Sequence, residues 1–409
     1  MMMGLVVGRI LDKFKRVLPL VLFLNLFQIA GSLMYFMGIS PVFMIFGRLV
    51  EGLGNPAMVA FTTDVCRATT LEERTPVLLL FNIAQQLGLL LGPACNLFLR
   101  EIDFYIGSIH VDKLNAPGLF LALVYLLWEI LAYFCYYDLK VAKDEEINTE
   151  TDSSPILTED IFSVQGGQDA LQEIRNNPGA YDTDSVPWSR YIDELARGEI
   201  IALIFIRFIG LFGQTCLETI VTPMMKEYFN YGDFANSILY LSGGGLLILV
   251  FIVLTLLSKK LADRSLILAG LVLNIVTYIW FLATIPYYQP NDRSNIWSFS
   301  IGTVLDLASI PILLDISLAL FSKLLSDDVQ GFGHAVRRFV ASFAMFIGPI
   351  WGSGSLPWLN VLFSIPLLLL VIASIMFLTS FNKMKPITNE DQETIHEETN
   401  QSNNTEIEA

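Results

Sequence analysis

Three histidines and four cysteines are all that this 409-residue chain holds of the softer metal-binding side chains. The histidines are scattered and no CxxC pair occurs, so neither a metal centre nor a disulfide framework is expected. Cys66, Cys95, Cys135 and Cys216 fall inside or at the ends of apolar runs, where cysteine packs as a small apolar residue. No GxxxxGK[ST] phosphate loop is present, and no basic stripe interleaved with aromatics. Nucleotide hydrolysis and nucleic-acid binding are thereby excluded; no enzymatic activity and no cofactor are expected. Charge is also scarce, at 16% of residues against 54% hydrophobic, with a mean hydropathy of +0.56. That balance excludes a soluble globular domain and places the chain among polytopic membrane proteins. The opening MMMGLVVG is too short for a cleavable signal peptide.

The net charge of −15 is confined to two places. Residues 138–199 hold 15 acidic and 5 basic side chains, and residues 381–409 hold 7 and 2, so the remainder is neutral with 18 of each sign. The acidity therefore describes two solvated segments rather than a surface for cations. Residues 140–198 read as an acidic linker, largely disordered, with a short helix near 190–198; residues 381–409 read as a disordered acidic tail. Within the linker, residues 152–157 (Asp-Ser-Ser-Pro-Ile-Leu) loosely resemble an acidic dileucine sorting signal, a pattern short enough to be common by chance.

Crossing the hydrocarbon takes roughly 20 apolar residues in a helix. Ten segments qualify: 17–37, 40–63, 75–99, 117–139, 199–224, 234–257, 265–286, 296–320, 330–352 and 357–380. Residues 1–8 look like the last turns of an eleventh. Loops on one side carry 17 Lys and Arg, those on the other carry 4, and the last 4 lie within spans. The positive-inside rule then places the N-terminal loop, the linker and the tail in the cytosol.

Self-similarity divides the chain. Asp12-Lys13 and Asp263-Arg264 occupy equivalent loops 251 residues apart. Gly92-Pro93 and Gly348-Pro349 each end a span, 256 residues apart. Both landmarks keep their membrane side, which implies a parallel repeat of two helical halves, 1–139 and 199–380.

GRILDKFKRV matches a loop motif Gly-xxx-Asp-(Arg/Lys)-x-Gly-(Arg/Lys)-(Arg/Lys) at Gly8, Asp12, Lys13 and Arg16. RLVEGLG matches Arg-x-x-Gln-Gly-x-Gly at Arg48, Gly52 and Gly54, with Glu51 where Gln is usual. GLLLGPACNL matches Gly-xxx-Gly-Pro-xx-Gly-Gly at Gly88, Gly92 and Pro93, then departs at Asn96 and Leu97. In this order and on these helices, the motifs resemble the major facilitator superfamily over residues 1–380. Within it, residues 67–94, 115–130 and 330–352 are similar to the lysosomal branch of major facilitator superfamily domain-containing protein 8 and its SPX-carrying relatives. The resemblance implies an all-α polytopic membrane fold of two pseudo-symmetric six-helix halves, with the N-terminal half truncated by one helix and most of a second. It also implies a monomer in a lysosomal or other endomembrane. Asp12, Lys13, Arg16, Asp263 and Arg264 would then latch the halves from the cytosolic side. Gly52, Gly54, Gly88, Gly92, Pro93, Gly348 and Pro349 would serve helix packing.

Ionisable side chains within a span are costly unless paired or wet, so they mark a protein interior or cavity. Arg48 and Glu51, three apart, share a helix face. Glu51 is a candidate proton carrier, the alternative being a fixed ion pair with Arg48. Gln85, Gln86, Glu129, Arg207, Gln214, Glu218 and Asp306 complete the candidates for a substrate cavity or proton coupling. Arg207 and Glu218 lie about 20° apart around a helix but roughly 16 Å along it, so each needs another partner. Asp306 and Asp315 are about 180° apart on an ideal helix, unless Pro311 kinks it. The expected function is secondary transport of a small solute or ion through the bilayer by alternating access, with possible proton coupling. An ion or anion channel on the same scaffold remains open, as does a truncated, non-transporting or regulatory membrane protein.

Overall fold

A computed structural model describes residues 2–14, 16–99, 103–106, 109–112, 115–136 and 186–384; of residues 89–99, 233, 234, 236 and 237 it describes the backbone alone. The sorting-like stretch 152–157, most of the linker and the tail lie outside the described residues. The fold is helical: α1 (Met2–Phe14), α2 (Leu18–Met37), α3 (Pro41–Gly54), α4 (Ala57–Ala68), α5 (Arg74–Leu99), α6 (Ala116–Cys135), α7 (Trp188–Leu195), α8 (Gly198–Glu227), α9 (Asp233–Ser258), α10 (Asp263–Thr284), α11 (Ile296–Pro311), α12 (Ser317–Leu324), α13 (Gln330–Ser355) and α14 (Leu359–Ser380). Among the described residues the exception is a small antiparallel hairpin, β1 (Phe104–Ile106) with β2 (Ile109–Val111), in the connection before α6. Among the described residues, eight helical stretches are long and apolar enough to cross a membrane. Each coincides with an expected span. The remaining two expected spans form the 26-residue helices α5 and α13.

Local chemistry explains the breaks. Gly38, at φ +57°, ends α2 in a left-handed conformation that costs glycine little. The Ser40 hydroxyl accepts the Phe43 N–H at 3.2 Å, and Pro41 opens α3, where its missing N–H is harmless. Asn55-Pro56 interrupts the expected span 40–63, dividing it into α3 and α4. Pro311 precedes a π-helical turn at Ile312–Ile316, which joins α11 to α12 without ending the span.

The chain forms two compact units that are not contiguous in sequence. The first contains α1 to α4, the hairpin, α6, the start of α7 and residues 327–336, which include the first turns of α13. The second contains α5, α8 to α12, the rest of α13 and α14. In the first, Val7, Leu11, Val21 and Leu24 pack with Val59, Ala60 and Ala335. Close helix approach there rests on glycine: a Cβ at Gly31 would stand 2.5 Å from both the Gly47 carbonyl oxygen and the Glu51 nitrogen.

Candidate functional site

A buried carboxylate in the first unit gathers four partners. Asp12, near the end of α1, is 4% exposed. Its Oδ1 meets Arg67 Nη2 at 2.8 Å and accepts the Gly331 N–H at 2.7 Å. Its Oδ2 accepts the Phe332 N–H at 2.8 Å and the Tyr191 hydroxyl at 3.3 Å. The two amides open α13, where a helix leaves its first N–H groups without intrahelical partners and presents its positive dipole end. Gly8 and Gly331 make the approach possible: a Cβ on Gly8 would lie 2.5 Å from the Gly331 carbonyl oxygen, and one on Gly331 would lie 2.5 Å from Asp12 Oδ1. Burial pushes the Asp12 carboxyl up to about 6, against the downward pull of the Phe332 N–H, Arg67, the Gly331 N–H and Tyr191. Burial beside Asp12 likewise pushes the Tyr191 phenol up to about 12.

The second unit repeats the device around Asp263, the first residue of α10. Lys323 Nζ lies 2.7 Å from its Oδ2, and the Thr75 hydroxyl lies 3.1 and 3.0 Å from its two oxygens. Thr75 is in the first turn of α5, and the adjacent Arg74 donates to the Ser322 carbonyl at 3.0 Å. Of the other loop-motif residues, Lys13 lies over the Phe14 ring and Arg264 over Phe381, while Arg16 is exposed. Sequence reasoning counted Arg67, Arg74 and Lys323 only for orientation and overlooked Thr75, Tyr191 and Gly331. A signal was present: Arg67 and Lys323 are 256 residues apart, the spacing of the Gly-Pro landmarks.

The embedded polar residues form separate groups. In the first unit, Arg48 Nη1 and Glu51 Oε2 lie 2.7 Å apart, the Arg48 guanidinium covers the Tyr35 ring at 4.2 Å, and the Tyr125 hydroxyl bonds Glu51. Glu129 Oε2 accepts from Asn25 Nδ2 at 2.6 Å. In the second unit, Gln85 is exposed, Gln86 is half-buried, and Gln214 donates to Glu218 at 2.9 Å, one helical turn along α8. Asp306 is 4% exposed; its Oδ1 accepts from Asn274 Nδ2 at 3.2 Å, and Asn274 also donates to Ser309 at 2.6 Å. Asp315 faces Arg207 and Arg337. Both arginines donate to the Leu314 carbonyl, at 3.2 and 2.6 Å, within the π-helical turn.

The expected packing positions divide. A Cβ at Gly54 would lie 2.5 Å from the Leu24 carbonyl oxygen, and one at Gly348 would lie 3.0 Å from that of Phe212, so these two accept close neighbours. Pro349 lies inside α13. At Gly52 and Gly88 a Cβ would meet nothing within 4 Å, which corrects their assignment to helix packing: no described neighbour approaches those faces. Gly92 and Pro93 lie in the stretch of α5 described by its backbone alone. Among the described residues no group of His, Cys, Asp and Glu could hold a metal ion.

The model of the Major Facilitator Superfamily matches residues 1–349. The chain belongs to this superfamily. It is 25% identical over 282 residues to major facilitator superfamily domain-containing protein 8 of Xenopus laevis, covering 66% of this chain and 49% of that one. It therefore spans about half the length of this curated relative. Among solved structures, the human organic anion transporter MFSD10 (TETRAN) superposes with a TM-score of 0.63 at 15% identity, covering 91% of this chain and 80% of that one. The E. coli fucose:proton symporter FucP gives 0.64 at 13% identity, covering 92% and 86%. The proton:xylose symporter XylE gives 0.65 at 15%, covering 92% and 82%. At these identities the likeness establishes the fold: an all-α membrane architecture of two related helical halves.

Proposed function

We propose that the chain is a secondary transporter that moves a small solute across the bilayer by alternating access, its two halves rocking about a polar centre. The observation that carries this reading is the duplicated latch. Each copy holds a buried carboxylate against the first turn of another helix, with a cation and further hydrogen-bond donors on the same oxygens. Such a contact breaks and re-forms as a unit, which is what a two-state gate requires. The basic loops would put both copies on the cytosolic face. The superposed structures, an organic anion transporter and two proton-linked sugar symporters, support the same class of activity.

Proton coupling would fall to Asp306 before Glu51. Glu51 has a guanidinium 2.7 Å away, so its charge is balanced. Asp306 accepts from a neutral amide, and the ionisable group acting on it from α8 is another carboxylate, Glu218. That placement makes Asp306 the candidate to take up and release a proton during transport. The resemblance in residues 67–94, 115–130 and 330–352 supports an endomembrane address, and co-localisation of a tagged chain with lysosomal markers would test it.

The decisive experiment is reconstitution in liposomes with labelled fucose, xylose and an organic anion under an imposed pH gradient. Wild type should accumulate a probe only with the gradient present. Asp306→Asn should lose accumulation while keeping exchange, and Glu51→Gln should keep both. Unitary current steps in planar bilayers would overturn alternating access, because a carrier never opens to both sides at once.

A further inference from the structure

The end of the acidic linker does more than connect. Residues 138–199 carry a net charge of −10, yet their last stretch folds into α7 and packs against the Asp12 latch. Trp188 and Tyr191, three apart, share one face of this helix. Tyr191 is 2% exposed, its ring 4.8 Å from that of Phe332 and 5.7 Å from that of Trp188. Trp188 also meets Phe332 at 5.6 Å and lies under the Arg9 guanidinium at 4.1 Å. Arg190 pairs with Asp328 at 3.6 Å, two residues before α13 begins. The Tyr191 hydroxyl completes the set by donating to the Asp12 oxygen that also receives the Phe332 N–H.

We infer that α7 is a clamp on the Asp12 latch, with Tyr191 as its positioning residue. Its phenol fixes the carboxylate against the start of α13, and its ring holds Phe332, whose amide the carboxylate binds. Trp188 and Arg9 tie the clamp to α1, the helix that carries Asp12. The linker is thereby a working part of the gate: whatever pulls α7 away removes one donor from Asp12 and one aromatic wall from Phe332. The consequence for transport rests on the alternating-access reading. The contact itself is testable without any solute, so either can fail alone.

The test is hydrogen–deuterium exchange of the full chain in lipid nanodiscs, read on peptides covering residues 327–336. The Gly331 and Phe332 amides belong to a first helical turn and have no intrahelical acceptor, so their protection reports Asp12 directly. Tyr191→Phe keeps the ring and removes the hydroxyl; exchange there should speed up about tenfold to a hundredfold, the size of one hydrogen bond to a charged group. Trp188→Ala should act in the same direction, and Asp12→Asn should set the upper limit. Peptides from α10 and α14 should exchange as in wild type. Exchange in Tyr191→Phe equal to wild type at 327–336 overturns the inference. So does acceleration spread evenly over all peptides, since that would make α7 a general packing element.

Discussion

The two buried carboxylates proposed as latches are held by different chemistry. Around Asp12 the donors are two main-chain amides, a guanidinium and a phenol. Around Asp263 they are a lysine ammonium and a threonine hydroxyl. The first is built on close backbone approach, with Gly8 and Gly331 in contact. The second reaches its helix through side chains. The two sites share a buried carboxylate and differ in what answers it. Main-chain donors are fixed in direction, whereas an ammonium on a four-carbon stem is a mobile point charge. The Asp12 latch should therefore be the stiffer and less forgiving of the two.

Removing the cation should separate them most. Arg67 is 9% exposed, and Asp12 cannot turn to water. Arg67→Ala leaves a buried carboxylate without its counter-charge, at a cost of about 3–5 kcal/mol. Lys323→Ala should cost less, because the Asp263 side chain is 7% exposed, against 0% for Asp12, and so can draw on water when its cation is lost. Thermal unfolding of the two variants in the same detergent measures the difference; equal losses would erase the proposed distinction.

Steric substitution comes next. Gly331→Ala puts a Cβ 2.5 Å from Asp12 Oδ1 and 2.6 Å from the Gly8 carbonyl oxygen, and backbone cannot yield as a side chain can. A loss of about 1–3 kcal/mol is expected, typical of overpacking. Thr75→Val, its counterpart in the second latch, keeps volume and loses a donor; about 1–2 kcal/mol is expected, since Lys323 remains. Equilibrium unfolding by denaturant ranks the pair, and a Gly331→Ala protein as stable as wild type would show that the close approach is dispensable.

How much of this was legible in the sequence follows the range of each interaction. Spans follow from the length of apolar runs, and all ten expected ones are helical. Arg48 with Glu51 was visible because a helix brings i and i+3 together. The carboxylates Asp12 and Asp263 were visible as motif residues. Their partners were not: Arg67 is 55 positions from Asp12, Tyr191 is 179, and Gly331 is 319. Nothing local marks such pairs, and a buried arginine looks like a cytosolic anchor when only loop charges are counted. Asn274 escaped similarly, since a lone amide in an apolar run gives no sign of the acid 32 residues on. Gly52 and Gly88 show the opposite case, motif positions where no described atom lies within 4 Å of a Cβ.

The smallest expected effect is on pH, and it tests the first latch alone. The folded-state value for Asp12, about 6, lies above the ordinary 3.8 because burial outweighs its donors. A group shifted upward binds its proton more tightly in the folded than in the unfolded chain. Its contribution to stability is therefore fully present below pH 3.8 and is lost as pH rises through 6. Wild type should become less stable relative to Asp12→Asn across that window, and the gap should level off above it. The same titration should soften Arg67→Ala: below pH 6 the carboxyl is neutral, no unpaired charge stays buried, and the deficit should shrink. Unfolding curves for the three proteins at about pH 4.5, 6 and 7.5 measure both trends. If the Arg67→Ala deficit were constant with pH, Asp12 would not be the group that the guanidinium serves, and the first latch would owe its stiffness to the glycine contact alone.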